Sequence, residues 1–71
     1  MNEMVKIWLT ELFQKEIENA KVSMSNNRLW AIGSNTKEEA DMFIENIASL
    51  EEYVQTLSSL VKQVEEGTLN V

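Results

Sequence analysis

Between Ala40 and Val64 the apolar residues Ala40, Phe43, Ile47, Leu50, Val54, Leu57, Val61 and Val64 recur at alternating spacings of three and four. That is a coiled-coil heptad seam, with β-branched Ile47, Val54 and Val61 alternating with Leu50 and Leu57. A helix carrying such a stripe must lay it against another helix. Earlier in the chain the line Leu9, Phe13, Ile17, Ala20, Met24, Arg28 and Ala31 marks a second amphipathic face. Its spacing is closer to an 11-residue period than to a heptad, which predicts a straight helix. On this reading Arg28 lies along the stripe, its stem covering apolar surface while its head reaches water.

Punctuation fixes where these helices begin and end. Asn2 is a good N-cap and Glu3 suits a first turn. The weak helix formers Ser25, Asn26 and Asn27 could fray or kink the first helix. Trp30 and Ala31 nevertheless return to its apolar face, so continuation to Ile32 is predicted, with Gly33 as a left-handed residue just past the end. Thr36 and Glu39 have capping-box spacing, and Glu38, Glu39 and Asp41 sit where the macrodipole favours acids. The second helix then runs to Glu66, ends at Gly67, and leaves residues 68–71 as a loose tail.

The predicted fold is therefore all-α: one domain, residues 1–71, formed by an antiparallel hairpin of helices over about 3–32 and 37–66. So short a link forces antiparallel neighbours. With the turn centred between Ser34 and Asn35, residues equidistant from it face one another, and this pairs apolar with apolar throughout. Val5 meets Val64, Leu9 meets Val61, Phe13 meets Leu57, and small Ala20 meets large Leu50. The same register sets Glu16, a lone acid near the middle of the first helix's face, against Tyr53, and predicts a hydroxyl-to-carboxylate hydrogen bond.

Composition adds a constraint. A two-helix hairpin of 71 residues gives each helix only one neighbour, and chains this small need a staple or self-association. Cysteine and histidine are both absent, so disulfides, thiolate metal sites, Glu-x-x-His di-iron sites and the commonest general base are excluded. No Gly-rich phosphate loop is present. These absences speak against an enzyme and imply no cofactor. The expected assembly is a homodimer in which two hairpins form a four-helix bundle. Ile44, Tyr53 and Leu60 flank the second seam, Ile7 is a stray apolar residue on the far side of the first helix, and Trp8 and Trp30 lie about 33 Å apart along it. These six are the candidate interface, against the plainer reading that scattered surface apolar residues are ordinary and that indoles fill cores.

Charge narrows the partners. Residues 1–36 balance Lys6, Lys15, Lys21 and Arg28 against Glu3, Glu11, Glu16 and Glu18; the whole net charge of −6 therefore falls in residues 37–71. Direct nucleic-acid binding is disfavoured. Glu38, Asp41 and Glu45 share a helix side and form an acidic patch. Solvated surface is its ordinary reading, and an oxygen-ligand cation site or a basic protein partner are the alternatives. The absence of a long apolar run argues against membrane spans and signal peptides, so a cytoplasmic location is expected. The functional expectation is a self-associating interaction module, a small regulator, adaptor or assembly component. An acidic decoy or inhibitor of a basic or nucleic-acid-binding protein, or a minor scaffolding subunit, is the alternative.

Overall fold

The computed structural model describes residues 2–68 and consists of two helices packed against each other, α1 (Glu3–Ile32) and α2 (Lys37–Glu66). Both begin and end where the sequence places them. The pair forms a rod of 51 × 16 × 13 Å, with a radius of gyration of 15.8 Å against about 11 Å for a compact chain of this length.

The caps explain the boundaries. Asn2 Oδ1 accepts from the Met4 N–H at 2.7 Å, and Thr36 Oγ1 accepts from the Glu39 N–H at 3.1 Å. At the far end Gly67 is left-handed (φ 72°, ψ 20°), its N–H reaching the Val64 carbonyl while the Thr68 N–H reaches that of Gln63. This pair of bonds is a Schellman motif. It holds Thr68, the first residue of the expected tail; the rest of that tail lies outside the described residues.

Gly33 departs from expectation. Its backbone is not left-handed (φ −84°, ψ 3°), and its N–H still bonds the Leu29 carbonyl as in the helix. The chain turns out of α1 through a tighter bond from the Ser34 N–H to Ala31, while the Ser34 hydroxyl takes the Trp30 carbonyl at 2.8 Å. A serine hydroxyl satisfies an orphan carbonyl here without any left-handed residue. α1 runs unbroken through Ser25, Asn26 and Asn27.

The seam of α1 also differs from the sequence reading. Ala20, Met24 and Asn27 are buried, and Arg28 is exposed. From Phe13 through Ile17, Ala20, Met24, Asn27 and Ala31 the seam keeps the same alternating spacing as α2, so a heptad displaces the longer period. The physical reason is the partner: a heptad stripe on α2 is matched continuously only by a heptad stripe on α1. Asn27, 7% exposed, satisfies its amide locally and across the seam. Its Nδ2 donates to the Ser23 carbonyl at 2.7 Å and its Oδ1 accepts from Asn46 Nδ2 at 3.2 Å. No buried side-chain polar atom among the described residues lacks a partner.

Candidate interaction surface

Among the described residues, the side-chain hydrogen bonds and the aromatic pair that cross between the helices lie along one edge of the seam and define a face. The Tyr53 hydroxyl donates to Glu16 Oε2 at 3.2 Å, the bond that the register predicts. Toward the turn, Asn46 reaches Asn27, and beyond them Trp30 lies on Phe43 with ring centroids 5.8 Å apart and planes inclined by 50°. Steps of three and four residues carry this edge along each helix. They place Val5 and Leu12 beside Glu16 on α1, with Trp8 at their outer border on one line with Lys15, Val22 and Leu29, and Met42 and Leu60 beside Asn46 and Tyr53 on α2.

This face is apolar at both ends and polar between. Val5, Trp8, Leu12 and Leu60 cluster where the helices begin and end; Trp30 and Met42 cluster at the turn. Glu16, Asn19, Ser23, Asn46, Ser49 and Tyr53 occupy the middle. Trp8 is 61% exposed and Trp30 54% exposed, so neither indole is core filler in the hairpin. Glu16 is half-buried at the edge of the seam, with a hydrogen-bonded structural role. Partial burial lifts the Tyr53 hydroxyl above its ordinary value of 10.0, and the hydrogen bond to Glu16 and that group's charge act in the same direction.

The six candidate interface residues therefore separate into two groups. Trp8, Trp30, Tyr53 and Leu60 share the face just described. Ile7 and Ile44 lie on the opposite side, near opposite ends of the rod. Ile7 borders a shallow groove with Glu3, Lys6, Thr10, Glu11 and Glu65, and Ile44 is exposed close to the turn. Met4, Val22 and Leu29 are exposed along the outer side of α1.

Met42 and Asn46 belong to the surface and Asn27 to the seam beneath it, and none is among the residues that sequence reasoning singles out. Continuing α2's heptad rule onto α1 from Phe13 would have found Asn27. Met42 precedes Tyr53 and Leu60 on a flanking line at the same three-four spacing, which was the available signal.

The acidic residues Glu38, Asp41 and Glu45 are all exposed, on the side of α2 turned away from α1. Among the described residues no three acids converge into a group that could hold a metal ion, and no helix is long and apolar enough to cross a membrane. Comparison with protein-family models, curated proteins and solved structures finds no match to this chain.

Proposed function

We propose that this chain is a non-enzymatic protein–protein interaction module, a helical hairpin that pairs with a second copy to form a four-helix bundle. The bundle then serves as a small regulator, adaptor or assembly component. The observation that supports this reading is the surface the hairpin leaves uncovered. Its accessible area is 5324 Å², whereas a compact monomer of 8.2 kDa exposes about 4,500 Å². The excess of about 800 Å² matches what one partner contributes to an interface of standard size. The character of that surface agrees. Ala20, Met24, Leu57 and Val64 are the buried apolar residues among those described, while twelve large ones stand exposed. A second hairpin gives each helix the second neighbour that one hairpin cannot supply.

Analytical ultracentrifugation tests the proposal. The expected mass is about twice that of the chain, and interfaces of this size run from micromolar to picomolar affinity. A chain still monomeric at roughly 100 µM would overturn it.

A second reading rests on charge. The outer side of α2 carries Glu38, Asp41, Glu45 and Glu52, all exposed, a surface suited to a basic partner such as a nucleic-acid-binding protein. Reversing the first three charges should abolish capture of such a partner if the chain is an acidic decoy. Mass that rises steadily with concentration would instead favour a scaffolding subunit.

A further inference from the structure

We infer that the second copy docks on one face only, the face that carries Trp8, Leu12, Trp30, Met42, Tyr53 and Leu60, and not on the side of Ile7 and Ile44. This rests on the reading of the chain as self-associating and specifies its partner surface.

Two independent observations select the face. The first is charge. Helical spacing brings Glu16 onto it from α1, where the Tyr53 hydroxyl already donates to that carboxylate, with Lys15 at its outer border on the line of Trp8, and α2 adds Glu39 beside Trp30. The opposite side carries Glu3, Lys6, Lys21 and Arg28 from α1 and Glu51, Lys62 and Glu65 from α2. Interface centres are depleted of charge and enriched in aromatic residues and methionine, which describes the first side and not the second.

The second observation is symmetry. A two-fold interface brings a patch against itself, so the patch must be self-complementary. Apolar clusters at both ends of the rod and a polar middle meet that condition. A two-fold axis lying in the face, whether along the rod or across it, sets apolar clusters on apolar clusters and the polar middle on itself. Ile7 and Ile44 offer no such match, because isolated apolar residues among charges leave nothing continuous to bury. The area also suffices: the excess surface corresponds to one broad face of a rod this long, not to two.

Four lysine substitutions test the inference by sedimentation equilibrium: Leu12→Lys and Trp8→Lys on the face, Ile7→Lys and Ile44→Lys opposite. All four side chains are exposed in the single hairpin. The face variants should weaken dimerisation by roughly a hundredfold, and the opposite pair should leave it within about threefold. The reverse ranking, or equal losses from both sides, overturns the inference while self-association stands. A monomeric wild type overturns both. Should a face variant lose its helical circular dichroism, the unaltered protein decides. Acrylamide quenching of Trp8 and Trp30 should fall as the dimer forms, and indoles that stay freely quenched in the dimer refute the placement.

Discussion

Gly33→Ala separates two accounts of the turn, because they give it opposite signs. A left-handed glycine just past a helix end resists replacement, since an added Cβ costs about 1–2 kcal/mol in that conformation. Gly33 is not left-handed. At φ −84° and ψ 3° an alanine is unstrained, and its Cβ would stand 3.5 Å from the Leu29 carbonyl oxygen and 3.9 Å from that of Trp30, ordinary contact distances. What remains is the smaller conformational freedom of alanine in the unfolded chain, a gain of about 0.4–1 kcal/mol. For a domain of this size that raises Tm by about 2–8 °C. Gly67 supplies the contrast, because its φ of 72° makes alanine strained there although nothing crowds the added atom. Fraying the last turn offers little escape. Val64, the most deeply buried side chain, sits within the Schellman motif and would be exposed with it. Gly67→Ala should therefore lower Tm by about 4 °C or more. Thermal unfolding followed by far-ultraviolet circular dichroism reads both, at one fixed concentration because assembly couples Tm to concentration. A Gly33→Ala variant that melts below wild type, or two glycine variants that shift together, would refute the reasoning.

Two further outcomes follow from the polar contacts. Ultraviolet titration of Tyr53 should show its hydroxyl ionising above 10.0, and Glu16→Gln should bring the transition back down. Since the folded state raises this pKa, the associated stability is complete below the unfolded value and is lost as pH rises through the folded one. Melting should accordingly fall off more steeply above pH 10 in wild type than in Tyr53→Phe. At the seam, Asn27→Leu exchanges two hydrogen bonds, each worth about 0.5–1.5 kcal/mol, for burial of a side chain worth about 1.5–3 kcal/mol. Asn46 is exposed and can turn to water, so the variant should unfold at equal or higher denaturant concentration than wild type. A midpoint clearly below wild type would show that the Asn27–Asn46 bond contributes more than its burial costs.

Helix ends, hairpin topology and the Glu16–Tyr53 bond were legible because each depends on local signals or on a register that a short link makes rigid. Asn2, Thr36 and Gly67 act within one turn of themselves, and the apolar stripe of α2 is unbroken. The seam of α1 was less legible. Asn27 and Arg28 are adjacent polar residues on nearly the same line, and hydropathy favours neither. Only docking on the heptad of α2 decides that Asn27 turns inward and finds Asn46. The turn at Gly33 was misread for a similar reason. A glycine after a helix permits the left-handed conformation without requiring it, and the neighbouring Ser34 hydroxyl removed the need. The surface divided for a geometric reason. Ile44 and Tyr53 are nine residues apart, half a turn around the helix, so their spacing alone sets them on opposite flanks of the seam.

The burial of Val64 bears on the order in which the hairpin forms and opens. Val64 lies eleven residues beyond Tyr53 of the Glu16–Tyr53 pair, so it closes contacts near the open end, far in sequence and in space from the turn. Pairing near Thr36 closes a short loop at small entropic cost, whereas pairing at Val64 closes nearly the whole chain. Folding should therefore zip from the turn toward the termini, with Val64 closing last. Amide hydrogen exchange would record this as protection that declines from the turn toward the open end. Val64→Ala would then leave the folding rate nearly unchanged and speed unfolding, the signature of a latch and not of a nucleus.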